Sequence, residues 1–96
     1  MPQIDQLLVE VDGVFDLAAA ARVAEALAEV RPGGALRVDL TRVREFHDAG
    51  VAALGRSLTT AGDAVRVVVA GLRQHQLRIL EYLGVDLLAL AAPAPG

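Results

Sequence analysis

The spacing of apolar and polar positions changes period several times along the chain, and each change marks an element. Leu7, Val9 and Val11 alternate with Leu8, Glu10 and Asp12. That period of two predicts a strand with one buried face, ended at Gly13. Asp16 is placed to cap the next segment, because its carboxylate can accept from the free N–H groups of a first helical turn. Apolar residues then recur at Leu17, Ala20, Ala21, Ala24, Leu27 and Ala28, with Arg22, Glu25 and Glu29 on the opposite side. This predicts an amphipathic helix, stopped by Pro32-Gly33-Gly34. Leu36, Val38 and Leu40 alternate with Arg37 and Asp39 as a second strand, and a loop is expected over 41–47. Asp48 then reads as another N-cap, before a stripe of Val51, Leu54, Leu58 and Ala61 that ends at Gly62. Residues 65–70 are a run of valine and alanine broken only by Arg66, which suits a central strand covered on both faces. A last helix is expected over 72–83, with Leu77, Leu80 and Leu83 on one face and Gly84 as its terminator. Residues 85–90 read as a last short strand or a turn of helix, and 91–96 as a loose tail.

Strand and helix therefore alternate three times. Spacing of this kind implies βαβ units, helix-covered parallel pairing and right-handed crossovers. The 96 residues fit one domain, and the 54% apolar fraction is ample for one core.

Composition removes several functions. A net charge of −3 argues against nucleic acid as the main partner, because neutralising phosphates takes a basic surface. With no cysteine there is no disulfide framework, zinc–thiolate site or cysteine nucleophile, which is compatible with a cytoplasmic location. The start, Met1-Pro2-Gln3-Ile4-Asp5, lacks the basic and long apolar regions of a signal peptide. The apolar stretches fall short of the roughly 20 residues that a membrane span needs. Enzymatic constellations are also missing. His47 and His75 are the only histidines and cannot make a histidine-rich metal site unaided. Ser57, the only serine, falls inside a predicted helix. No Gly-x-Ser-x-Gly elbow or phosphate-binding glycine loop occurs. The expectation is a non-catalytic protein with no metal and no other cofactor.

The informative stretch runs from Val38 to Leu54: a strand ending in Asp39-Leu40-Thr41, a short connection through Arg42, Arg44 and His47, then Asp48-Ala49-Gly50 opening a helix. This sets a helix N-terminus at the surface beside the carboxyl end of a strand, where free N–H groups and the helix dipole favour negative charge. Ala49, Gly50, Ala52, Ala53 and Gly55 keep the first turns low in profile, so a partner's backbone could approach closely.

This stretch resembles the signature of STAS domains, the anti-sigma factor antagonist-like family, whose pattern runs roughly Asp-Leu-Ser-x-Val-x-x-hydrophobic-Asp-Ser-x-Gly-hydrophobic. The register holds without a gap from Asp39 to Leu54. Gly13-Val14-Phe15-Asp16 before the first helix, Val67 to Gly71, and the closing Leu83-Gly84-Val85 agree with it as well. The resemblance implies a single STAS-like α/β domain over 1–90, with a mixed central β-sheet of about four strands and helices packed on it, followed by a flexible Ala/Pro tail over 91–96. It also implies a protein-interaction module. STAS domains serve as anti-sigma factor antagonists, stressosome components and accessory parts of transporters, and none of these roles is catalysis by the domain.

In the antagonist branch, a serine or threonine after the motif's Asp is phosphorylated by a partner kinase, and phosphorylation releases the partner. Here His47-Asp48 stands where the family has Asp-Ser, so Asp48 occupies the phospho-acceptor-equivalent position. A carboxylate carries about −1 against roughly −1.5 to −2 for a phosphoserine, so it mimics the modified state only in part. Two readings of Asp48 stay open: a plain helix cap, or a fixed charge that locks the switch or is itself read by the partner. The expected partner-binding residues are His47, Asp48, Ala49, Gly50 and Ala52, with Arg42 and Arg44 flanking them. The partners left open are an anti-sigma factor or kinase, a STAS scaffold, a transporter ATPase, and a second copy of the chain in a homodimer.

Overall fold

The computed structural model describes residues 4–85. Within them β1 (Ile4–Phe15), α1 (Leu17–Glu29), β2 (Val30–Phe46), α2 (Asp48–Ala61), β3 (Arg66–Ala70) and α3 (Gln74–Tyr82) follow in strict alternation. The sheet has the order β1-β2-β3, and both pairings are parallel. The mixed sheet of about four strands is thereby corrected to three parallel strands among the described residues. Each strand leads into a helix that carries the chain back to the start of the next, so no hairpin arises to set an antiparallel pair. The proposed last strand or turn over 85–90 lies outside the described residues but for Val85, and the tail over 91–96 lies wholly outside them. The apolar run of β3 does not make it the central strand, a place that belongs to β2.

Leu36, Val38 and Leu40 of β2 and Val67 and Val69 of β3 are buried together with α1, α2 and α3 side chains in one core on one face of the sheet. The other face carries cross-strand rows set by the register, Leu8–Arg37–Val68 and Glu10–Asp39–Ala70. Arg37 and Glu10 are exposed there. This division follows directly from the period-two pattern of the strands.

Asp16 caps α1 as expected: its Oδ1 accepts from the Ala19 N–H at 2.9 Å. The buried stripe of α1 is Ala19, Ala20, Val23 and Ala26, not the set that starts at Leu17. Leu17, Ala21 and Ala28 are exposed. In a helix this rich in alanine almost any face looks apolar, and the one branched interior residue, Val23, decides which side faces the core.

The loop expected over 41–47 is mostly strand. β2 continues to Phe46, with Arg42 beside Asp12, Val43 beside Gly13 and Phe46 beside Phe15. Register shifts at Glu10/Asp12 and Gly13/Val14 interrupt the pairing. Bulges of this kind put consecutive residues on one side and erase the period of two. Thr41 and Arg42 are thus both exposed, as are Arg44 and Glu45, with buried Val43 between the two pairs.

The Asp39-Leu40-Thr41 turn has a structural role. Asp39 Oδ1 accepts from both the Thr41 N–H (2.9 Å) and the Thr41 hydroxyl (2.6 Å). These two bonds, with Arg42 and Arg37 nearby, hold the Asp39 carboxyl below its ordinary range. Across from this turn Gly71 has φ +96°, and an added Cβ would stand 2.5 Å from Leu40 C and Thr41 N. The end of β3 thus passes directly over the Leu40–Thr41 peptide.

Gly71→Ala is expected to destabilise the domain by about 2 kcal/mol or more, since strain in φ and a backbone clash act together. Gly13→Ala, with φ +76° but nothing within 4 Å of its Cβ, should cost only about 1 kcal/mol. Urea unfolding of both variants checks this, and equal losses would remove the Leu40–Thr41 contact as a cause. The lowered Asp39 pKa also has a sign. The unfolded chain takes the proton more readily, so the contribution is present above the unfolded value of 3.8 and fades as pH falls through it toward the folded value. Thr41→Val should make this acid-side loss of stability shallower in melting curves taken from about pH 6 down to about pH 2.5.

Candidate partner-binding surface

The ends of β1 and β2 deliver the start of α2 to the surface. Phe15 and Phe46 lie side by side in the register, with ring centroids 6.1 Å apart. The next residue, His47, donates its N–H to the Phe15 carbonyl at 2.9 Å, and its own carbonyl accepts from the Val51 N–H at 3.0 Å. His47 is therefore the N-cap, with extended backbone (φ −87°, ψ 130°) and no side-chain capping bond. Its ring nitrogen Nε2 lies 2.6 Å from Glu45 Oε2 instead.

Asp48 is the first helical residue and not the cap. Because β2 runs through Phe46, the helix begins directly after His47. Asp48 sits in the positive end of the helix dipole, where a carboxylate is favoured by about 0.3–1 kcal/mol. Its side chain is 73% exposed, and its one side-chain neighbour within bonding reach is the His75 ring of α3, at 3.4 Å. The carboxylate thus points outward and is not consumed by capping.

The small residues after it divide between two jobs. Ala49 is exposed and Ala52 is half-buried. Gly50 is buried, and a Cβ there would come within 2.7–2.9 Å of the Asp16 backbone. The close approach expected of a partner at Gly50 is made by the chain's own α1 start. Gly55 likewise faces Leu80 and Leu83. The packing of Gly50 brings Leu17 to the same end of the molecule, where Leu17 is 57% and Val14 41% exposed. Sequence reading missed both, having assigned Leu17 to the buried stripe of α1. The signal was present, because a residue just after an N-cap aspartate lies on the first, least covered turn.

Arg42 and Arg44 do not join this cluster directly. With Arg73, which caps α3, they line a shallow open hollow over Gly13 and Val43, with Asp12 and Thr41 at its edge. Arg73 also escaped sequence reading. It follows Gly71 by two residues, and the topology carries it from the end of β3 to the end of β2. Its N–H donates to Oε1 of the buried Gln76 at 3.1 Å, which holds the first turn of α3. That turn links the two zones, since it carries both Arg73 and His75, the neighbour of Asp48. Among the described residues no group of three His, Asp or Glu could hold a metal ion. No helix among them is long and apolar enough to cross a membrane.

Comparison with known proteins bears on this arrangement. The STAS domain of a SulP transporter from Vibrio cholerae superposes with a TM-score of 0.63 at 15% identity, covering 98% of this chain and 78% of that one. At that identity the match speaks for the fold. No curated protein sequence matches the chain. A family model described as "Mlab, STAS domain" matches residues 3–90, which takes in every strand and helix above as well as the Asp39–Leu54 stretch. The chain belongs to the STAS domain family.

Proposed function

We propose that this domain is a non-catalytic interaction module that docks a partner protein at the start of α2. The observation that carries the reading is the outward-facing Asp48 carboxylate, 73% exposed, at the first position of a helix whose backbone is pinned to β1 through the His47–Phe15 bond. Exposed Ala49, together with Val14 and Leu17, supplies apolar surface at the same end. Apolar contact beside a fixed charge is the usual anatomy of a specific protein interface. In the anti-sigma antagonist reading, Asp48 stands in for the acceptor hydroxyl, and its charge holds the docking surface in one state.

A second reading is supported by the same carboxylate. A serine kinase has nothing to modify at Asp48, so docking there would be permanent. Permanent docking suits an accessory STAS subunit of an ABC-type transporter or a stressosome-like scaffold.

Asp48→Arg combined with Ala49→Arg is expected to abolish co-purification of the partner from native lysate while leaving the melting temperature within a few degrees, because both side chains are exposed. Undiminished recovery would place docking elsewhere on the domain. Asp48→Ser separates the two readings. Capture of an ATPase kinase, with phosphate appearing on the introduced serine alone, belongs to the antagonist role. Transporter subunits or other STAS proteins retained equally by wild type and Asp48→Ser belong to the constitutive one.

A further inference from the structure

We infer that the hollow between β1, the end of β2 and the start of α3 binds a dianionic oxyanion, a phosphoryl group by chemistry, separately from the docking surface at Asp48. The protein as a whole is acidic, with nine arginines against twelve carboxylates. Three of those arginines, Arg42, Arg44 and Arg73, nevertheless converge on this one depression, where Asp12 is the single acid. The lining is positive on balance even though Asp39 lies near Arg42, and three guanidinium groups offer more donors than a monoanion needs, which suits a phosphoryl group of about −1.5 to −2. Among the described residues none of the three guanidinium groups makes an ion pair or donates a side-chain hydrogen bond. Their fork-shaped donors therefore remain available for bidentate contact with oxyanion oxygens.

The backbone beneath is shaped to bring the arginines together. Two of the three register shifts in the β1–β2 pairing, at Glu10/Asp12 and Gly13/Val14, bracket this segment. Arg42 and Arg44 stand two apart about buried Val43, and both are exposed. Gly13 contributes no side chain, and the space where its Cβ would stand is empty out to 4 Å. Arg73 arrives from β3 only because Gly71 lets the chain cross the Leu40–Thr41 peptide. The hollow thus lies in the carboxyl-terminal parts of β1 and β2, past the end of β3, the end of the sheet at which open α/β folds take their ligands.

The test is a titration of the full chain with inorganic phosphate, followed by two-dimensional amide NMR at constant ionic strength, with chloride and acetate as controls. Saturable shifts are expected at Gly13, Thr41, Arg42, Val43, Arg44 and Arg73, and neither control anion should saturate them. Arg44→Gln and Arg73→Gln should each weaken binding about tenfold or more, with the remaining spectrum unchanged. Glycerol 3-phosphate, run in parallel, separates the sources. Equal affinity for the two phosphates points to a free phosphate, and tighter binding of the ester to a lipid-type headgroup. Asp48→Arg should leave the titration unchanged, so this site and the docking surface stand or fall apart. Shifts spread over exposed arginines such as Arg31 and Arg56, saturation by chloride, or undiminished binding in both glutamine variants would each overturn the assignment.

Discussion

The crossing of the β3 end over the Leu40–Thr41 peptide is the constraint on which the rest of the structure depends. Three things meet there. Asp39 ties the turn by accepting two bonds from Thr41. β2 leaves its regular pairing with β3 at Asp39, beside Ala70. Gly71 allows the chain to pass at a distance that no side chain would tolerate. The position of α3 follows from this crossing, and with it the places of Arg73 and His75. If β3 had to swing wide to clear a Cβ, Arg73 would leave the hollow and His75 would leave Asp48. The two halves of the family pattern, Asp-Leu-Thr on one strand and a glycine after the next, are therefore two sides of one contact.

The same contact explains why a protein with more acidic than basic residues carries an arginine-lined end. Arg42 and Arg44 lie beyond the point where β3 stops covering β2, and Arg73 lies just beyond the point where β3 ends. Across the β1–β2 pairing Asp12 stands beside Arg42, and Asp39 of β2 itself also lies near Arg42. Elsewhere the charges are spread out, as on the open face of the sheet, where Glu10 and Arg37 occupy successive rows. Glu10 and Arg37 make no ion pair with each other and are exposed, so they add little to stability. The fold is held by the Leu36, Val38, Leu54 and Leu80 core, and among the described residues Arg42, Arg44 and Arg73 make no ion pair within it.

Much of this was legible in the sequence, and the failures have physical causes. The alternation of strand and helix, the Asp16 cap, the Val51–Leu54–Leu58 stripe and the family pattern could all be read from spacing. The stripe of α1 could not, because alanine fits a core face and a solvent face alike and the helix has one branched interior residue to decide between them. The extension of β2 through Phe46 was hidden by bulges, which place Thr41 and Arg42 on the same side as each other and so mimic a loop. That error carried into the site: a loop ending at His47 makes Asp48 the natural cap, whereas a strand ending at Phe46 makes His47 the cap. Gly50 was read as an opening for a partner, since a run of small residues does not tell which side of the helix its own chain will occupy. Arg73 and His75 joined the site through topology alone, which no local pattern records.

Placing Asp48 one position inside the helix changes what its charge can do. A capping aspartate spends its oxygens on backbone N–H groups, and a partner would meet a satisfied carboxylate. At the first helical position the side chain is held by the dipole and by one loose contact at 3.4 Å to His75, so its oxygens remain available. On the docking reading, an incoming donor then gains a charge-assisted hydrogen bond without first breaking a cap. A phosphorylated hydroxyl at this position would carry about −1.5 to −2. A permanent aspartate holds the charge nearer −1, with Glu45 already engaged by His47 at 2.6 Å. His47 lies against Glu45 just before α2, and His75 of α3 lies against Asp48 at its first position. On the docking reading, an aspartate at this position supplies a negative charge that no phosphorylation step is needed to install.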